Sequence, residues 1–198
     1  MRPLAITGLG VVSAAGVGYD RFREAAGAAE VDLFTAAPTT FAHAPHPALR
    51  VAEVPAFDPK AVVGDKGLRN NDRLTRLLLV ASRLGLAHAG IKVDGAFTAL
   101  GADAVGVCAS TAYGSIKGHL GARPRRRLED PRYLNPGKFP NTVINSAAGY
   151  VSIWDDLRAR NACLVTNGPT GGVDVFDCAA TYLGAGAGEG DPRGAERP

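Results

Sequence analysis

Residues 161–178 combine a short apolar run, a turn and a helix-forming segment, and they constrain the fold more than any other part of the sequence. The run from Ala162 to Thr166 is typical of a buried strand, and a helix is predicted from Pro169 to about Leu183. Many α/β enzymes hold a nucleophile at such a junction, because the turn exposes the side chain and the helix N-terminus stabilises developing negative charge. Proline offers neither a thiol nor a hydroxyl, so Pro169 cannot attack a substrate.

Proline nevertheless suits the first position of a helix, where its missing N–H would be unpaired and its fixed φ already matches the helix. Gly168 can serve as the cap before it, and Gly171 and Gly172 allow close approach of neighbouring backbone. We name this segment the elbow; it comprises Gly168, Pro169, Thr170, Gly171 and Gly172. The sequence predicts an elbow that is retained as architecture without a nucleophile.

Residues 165–175 resemble the active-site elbow of the β-ketoacyl-acyl carrier protein synthases, the condensing enzymes of fatty acid and polyketide synthesis. The family pattern, roughly Val-Ser-Thr-Gly-Cys-Thr-Ser-Gly-Leu-Asp-Ala, aligns here without gaps, and its cysteine falls on Pro169. The chain length factors of aromatic polyketide synthases are a branch that also lacks this cysteine and often carries a Gly-Gly-Leu-Asp similar to Gly171 to Asp174. The sequence resembles that branch more than an active synthase.

Three other segments are similar to the same family in the same order. Residues 4–16 resemble its opening strand and Gly-rich turn, residues 72–90 its long first helix, and residues 135–160 its helix before the elbow. The resemblance implies an α/β fold, the N-terminal half of a thiolase-like fold, with a mixed sheet between helix layers. We expect one domain over residues 1–183 and a disordered, Gly-rich tail over residues 184–198.

The pattern of apolar residues predicts the elements of this domain. Leu4 to Val12 is an apolar run typical of a strand covered on both faces. Further strands are expected near Arg50 to Val54 and at Ala104 to Ala109, and helices at 20–29, from Ser115 to about Leu120, and from Asn145 to Leu157. The long helix begins at Asn71 or Asp72, stops at Gly90 and has one face formed by Leu74, Leu77, Leu78, Ala81, Leu84 and His88.

Composition narrows the class of protein without identifying partners. The net charge of +3 is too small to indicate nucleic-acid binding, and no stretch reaches the ~20 apolar residues of a membrane span. Three cysteines at wide spacing in apolar sequence are typical of reduced core thiols in a cytoplasmic protein, and they indicate neither a disulfide framework nor a metal cluster. His43 and His46 in a Pro-rich loop are expected to be solvated rather than to bind a metal.

Two motifs offer alternative functions. Gly8-Leu-Gly10 after an apolar run partly matches a dinucleotide-binding turn, but the position of the third glycine is Ser13. Cys108 also follows an apolar run and is therefore an alternative candidate for the nucleophile. The resemblance, however, places a non-catalytic strand here and favours a cysteine that faces the core. Cys163 and Cys178 are expected to pack within the strand and the helix that flank the elbow.

The resemblance also implies what is missing for catalysis. The synthases activate their cysteine with two histidines from the second half of the fold, whereas His43, His46, His88 and His119 all precede the elbow. We therefore expect no condensation by this chain alone. The family's substrate is the phosphopantetheine thioester of an acyl carrier protein, and no cofactor is expected.

The expected partners are an acyl carrier protein and either an active β-ketoacyl synthase subunit or a second copy of this chain. A basic run can dock the acidic helix of a carrier protein, or can be an ordinary solvated surface. It comprises Arg123, Arg125, Arg126 and Arg127.

The leading hypothesis is a non-catalytic subunit, similar to a chain length factor, that assists a complete condensing enzyme. The alternative is a truncated or frameshifted remnant without independent function, which the composition change after Leu183 supports. A third hypothesis, an acyltransferase that uses Cys108, ranks last.

Overall fold

The computed structural model describes residues 3–34, 50–55, 57–115, 136–166 and 171–184. Within these ranges lie the helices α1 (Tyr19–Gly27), α2 (Lys60–Val63), α3 (Arg73–His88), α4 (Ser146–Asp155) and α5 (Gly171–Gly184). Short strands pair as β1 (Val12–Ser13) with β2 (Gly16–Val17), β3 (Lys92–Val93) with β4 (Ala96–Phe97), and β5 (Val107–Thr111) with β6 (Asn161–Val165). The described ranges also contain 3₁₀ segments at Leu68–Asn70, Ala102–Ala104 and Pro136–Thr142.

The parallel strands β5 and β6 form the centre of the layered part of the fold. Because side chains alternate between the faces of a strand, Cys108 of β5 and Cys163 of β6 point to opposite faces. Cys108 contacts Cys178 of α5, whereas Cys163 contacts the carbonyl of Ile144, just before α4. The strands therefore lie between α4 and α5, which confirms the predicted sheet between helix layers.

Local sequence determines both ends of α3 as predicted. The Asp72 carboxylate accepts a hydrogen bond from the Thr75 backbone N–H at 2.9 Å, which satisfies one of the unpaired donors at the helix start. Gly90 has a φ of +65°, and its N–H donates to the Ala87 carbonyl at 2.9 Å. A side chain disfavours this left-handed conformation, so glycine allows the chain to turn away from the helix.

The core lies where α3 packs on α4. Leu79 and Val80 of α3 are fully buried and pack with Val151 of α4, which is 1% exposed. The predicted leucine face is only half-buried, and the face with Thr75, Leu79 and Val80 is the buried one. The reason is that α3 packs against α2, α4 and the N-terminal segment at once, so burial does not follow a single apolar stripe.

The strand predicted over Leu4 to Val12 does not form. Val12 enters the β1–β2 hairpin, while residues 3–11 belong to no strand of the described structure. Leu4, Ile6 and Leu9 are 53%, 70% and 43% exposed, so the segment is not covered on both faces. It lies against α3 instead of beside another strand.

Gly8 and Gly10 explain why this segment can lie so close to α3. A Cβ on Gly8 would be 2.6 Å from the Ala89 nitrogen, and a Cβ on Gly10 would overlap the Ala81 carbonyl oxygen. Only glycine permits such contact between a backbone and a helix. The two glycines are therefore packing residues, which argues against the partial dinucleotide motif.

Other expectations differ from the structure in detail. Residues 50–54 form no strand, and β5 begins at Val107 rather than Ala104 because residues 102–104 form a 3₁₀ turn. Several predicted features lie outside the described residues: the helix after Ser115, His43, His46, His119, the basic run at 123–127, Gly168 to Thr170 of the elbow, and the tail from 185 to 198.

We predict that Gly10→Ala destabilises the fold by about 1–3 kcal/mol, because its Cβ would overlap the α3 backbone. Gly149→Ala is the matched control, since a Cβ at this α4 position would meet no heavy atom within 4 Å among the described residues. The control should be stabilising by about 0.5–1 kcal/mol through helix propensity. Urea unfolding measures both changes, and equal effects of the two variants would contradict the packing of residues 8–10 on α3.

Candidate functional site

The elements that flank the elbow are present as predicted. β6 ends at Val165 and α5 begins at Gly171, so Gly171 and Gly172, the described part of the elbow, lie in the first turn of that helix. Next to the end of β6, the hydroxyl oxygens of Ser110 and Thr166 are 2.9 Å apart, and this contact joins the end of β6 to β5. A Cβ on Gly172 would meet no heavy atom of the described structure within 4 Å, so close backbone approach does not explain that glycine.

The Cys108 thiol is held against α5. Its Sγ lies 3.8 Å from the Sγ of Cys178, and both side chains are partly buried. Burial, followed by the hydrogen bond to Cys178, raises the pKa of Cys108 to about 11. The thiol is therefore protonated near neutral pH, and the thiolate that nucleophilic catalysis needs is scarce. This supports the interpretation of Cys108 as a core residue.

Cys163 is the third thiol and lies on the other face of the sheet. Its Sγ is 3.7 Å from the Ile144 carbonyl oxygen, and its strand partner is Ala109. Burial raises the pKa of this thiol as well. Cys163 therefore packs within the strand as expected and is poorly suited to act as a nucleophile.

His88 has a structural role that sequence reasoning did not find. It lies at the end of α3 as predicted, and its Nδ1 accepts a hydrogen bond from the Leu9 backbone N–H at 2.9 Å. Its ring stacks on Tyr19 with 5.3 Å between centroids. The imidazole thus helps to hold the N-terminal segment and α1 on α3.

A buried ion cluster joins α3, α4 and β3, and the sequence gives no signal for it. Asp155 is fully buried, and its Oδ1 accepts hydrogen bonds from Arg83 at 2.9 Å (Nε) and 2.6 Å (Nη2). The Lys92 ammonium donates to the Asp155 backbone carbonyl and lies 4.0 Å from the carboxylate. A buried carboxylate needs such partners, because the desolvated charge alone would be costly.

A cavity of about 540 Å³ lies beside this cluster. Arg83 and Lys92 contribute to its wall together with aliphatic side chains such as Val62, Leu84 and Leu86. The Arg83 guanidinium already donates to Asp155 and to the carbonyls of Val63 and Trp154. The cationic groups of the cavity wall are thus engaged in hydrogen bonds that stabilise the fold.

The described ranges contain no group of three metal-ligating side chains. No helix in the described part of the chain is long and apolar enough to cross a bilayer.

Comparison with known proteins decides the family. The profile of the β-ketoacyl synthase N-terminal domain matches residues 1–187. The chain belongs to the β-ketoacyl synthase family. This confirms the resemblance found in the sequence and the expected thiolase-like fold.

Individual members of the family agree with this assignment. The chain is 30% identical over 172 residues to 3-oxoacyl-[acyl-carrier-protein] synthase 2 of Coxiella burnetii, covering 86% of this chain and 40% of that protein. It is 28% identical over 185 residues to the tetracenomycin polyketide synthase ketoacyl synthase beta subunit of Streptomyces glaucescens, covering 91% and 42%. The chain thus spans about two fifths of the length of these curated relatives.

A solved structure also matches this β-ketoacyl synthase domain. The ishigamide ketosynthase/chain length factor superposes with a TM-score of 0.70 at 29% identity, covering 92% of this chain and 49% of that one. The similarity extends over nearly the whole chain and supports the same overall fold.

We predict that Asp155→Asn lowers the free energy of unfolding by about 3 kcal/mol, because it leaves the cations of Arg83 and Lys92 without their buried counter-charge. Asp156→Asn is the adjacent control: it removes an ion pair with Arg158 in which both side chains are more than half exposed. The control should cost much less than Asp155→Asn, because a solvent-exposed ion pair is screened by water, and asparagine tolerates the positive φ at this position. Chemical denaturation measures the free energy of unfolding of both variants. Similar decreases in the two variants would show that the Asp155 cluster does not stabilise the core.

Proposed function

We propose that this chain is a non-catalytic subunit, similar to a chain length factor, that assists a complete condensing enzyme of fatty acid or polyketide assembly. The observation that carries the proposal is the proline at position 169, where the family pattern has its nucleophilic cysteine. An elbow without a thiol can form no acyl-enzyme, and decarboxylative condensation requires that intermediate.

The remaining thiols do not substitute for the missing one. Cys108 faces α5 and has a raised pKa, Cys163 lies on the opposite face of the sheet, and Cys178 is paired with Cys108. Among the histidines, His88 is engaged with Leu9 and Tyr19. The described residues therefore offer no thiol with an adjacent base, which is what activation of a cysteine needs.

Known relatives support the kind of subunit we propose. One is named as a ketoacyl synthase beta subunit, and a matching solved structure is a ketosynthase/chain length factor. By this likeness we propose that the chain pairs with a cysteine-containing synthase or with a second copy of itself. The acyl groups would be presented as thioesters of an acyl carrier protein, with the basic run at 123–127 as the docking surface.

The surface of the domain supports pairing. Val173, Phe176 and Leu183 of α5 are 59%, 57% and 67% exposed. Apolar residues of the N-terminal segment, Leu4 and Ile6, are also more than half exposed. The spacing of Val173, Phe176 and Leu183 places them along one side of α5, and an exposed apolar helix face is typical of an interface.

We predict that the purified chain shows neither acyl transfer nor condensation with acyl carrier protein thioesters. Pro169→Cys alone should not restore turnover, because a thiol without a base or a lowered pKa stays protonated near neutral pH. Mass spectrometry of the protein after incubation with the thioesters detects any acyl adduct. An adduct on Cys108 in the unmodified chain, or turnover by the Pro169→Cys variant without an added subunit, would overturn the proposal.

We also predict that the isolated chain self-associates or precipitates at micromolar concentration, and that a cysteine-containing synthase subunit suppresses this by forming a complex. Multi-angle light scattering measures the mass of each species. Substituting Phe176 by Ser should reduce self-association, because it removes a large exposed apolar side chain. Thr181→Ser, on the same helix, is a control that should leave the mass distribution unchanged. A stable monomer that unfolds cooperatively and does not bind the synthase would contradict the expected pairing.

A further inference from the structure

Two thiols meet between β5 and α5. The Sγ atoms of Cys108 and Cys178 are 3.8 Å apart, although the residues are separated by 70 positions in the sequence. Neither residue takes part in the proposed function. Cys163 is excluded from this pair because it projects from the opposite face of the sheet.

We propose that Cys108 and Cys178 are a redox-modification site, at which a peroxide forms a reversible disulfide that ties α5 to β5. A disulfide has its sulfurs about 2.05 Å apart, so the two sulfurs need to approach by only about 1.8 Å from their separation of 3.8 Å. Side-chain rotation can supply part of that movement, because neither cysteine is branched at Cβ. The helix and the strand that carry the two cysteines are already packed against each other.

The chemistry balances with peroxide as the oxidant. One cysteine attacks a peroxide oxygen as its thiolate, the O–O bond breaks, and the released hydroxide takes up the proton lost on ionisation, so that a sulfenic acid and one water form. The second thiol then attacks the sulfenic sulfur, the S–O bond breaks and a second water leaves with the thiol proton. The two sulfurs have lost two electrons in total, and one hydrogen peroxide has been reduced to water. A thiol reductant reverses the reaction by disulfide exchange.

The surroundings of Cys108 slow its reaction with an oxidant. Burial raises the pKa of Cys108 to about 11, so little thiolate exists at neutral pH. Proximity compensates for this in the second step, because the attack on the sulfenic acid takes place within one molecule. The disulfide would covalently join α5, the helix that begins within the elbow, to the strand beside it, and would restrict the movement of that helix.

The full-length Cys163→Ala variant tests the proposal, because it leaves only the two facing thiols. After treatment with hydrogen peroxide at pH 8.5, the intact mass should fall by two hydrogen atoms. Non-reducing tryptic digestion should join the peptides 93–117 and 161–193, and dithiothreitol should separate them. Cys108→Ser and Cys178→Ser, each combined with Cys163→Ala, should yield no intramolecular link.

Comparing the rate of disulfide formation in folded and unfolded protein shows whether the folded structure accelerates the reaction. In native buffer the link should form roughly tenfold faster or more than in urea, because an unfolded chain rarely brings thiols 70 residues apart together. The proposal would be overturned if the Cys163→Ala protein remained folded after peroxide treatment and still had two free thiols. Equal rates in native buffer and urea, or preferential linkage to Cys163 in the unmodified chain, would also overturn it.

Discussion

The packing of α4 against α3 is the interaction on which the rest of the structure depends. Leu79 and Val80 are fully buried and pack with Val151, and Ala147 and Ala148 of α4 are buried as well. Deep in the same interface, the Asp155 carboxylate accepts two hydrogen bonds from Arg83. Apolar burial supplies the stability. The buried ion pair fixes how the helices are aligned, because a shift of one helix would leave a buried charge without its partner.

Each layer of the domain is placed by this helix pair. On one side, Gly8 and Gly10 let the N-terminal segment lie directly on α3, and His88 binds its backbone. On the other side, α4 packs on the parallel strands β5 and β6, and α5 covers their opposite face. Gly171 and Gly172, the described part of the elbow, begin α5 and are positioned by the packing of that helix on the two strands.

Local signals in the sequence were sufficient for the elements that flank the site. Asp72 and Gly90 mark the ends of α3, and the apolar run before Pro169 becomes β6. The position of the proline was identified only because the surrounding residues match a family pattern. No propensity or periodicity indicates that a cysteine belongs there.

Features that depend on distant contacts were missed. Nothing near Asp155 in the sequence shows that it is buried, because its partners Arg83 and Lys92 lie 72 and 63 residues away. The apolar run from Leu4 to Val12 has the composition of a buried strand, yet its glycines place it against a helix. The contact between Cys108 and Cys178 likewise arises from how α5 folds back on β5.

The central claim, that this chain acts through a catalytic partner, is tested most directly by reconstitution. A cysteine-containing β-ketoacyl synthase from the same organism is combined with acyl carrier protein and malonyl thioester, with and without this chain, and product lengths are measured by mass spectrometry. The account predicts that the chain changes the product lengths, and that all product disappears when the synthase's own cysteine is replaced. Product formed after that replacement, or an identical product distribution with and without the chain, would contradict it.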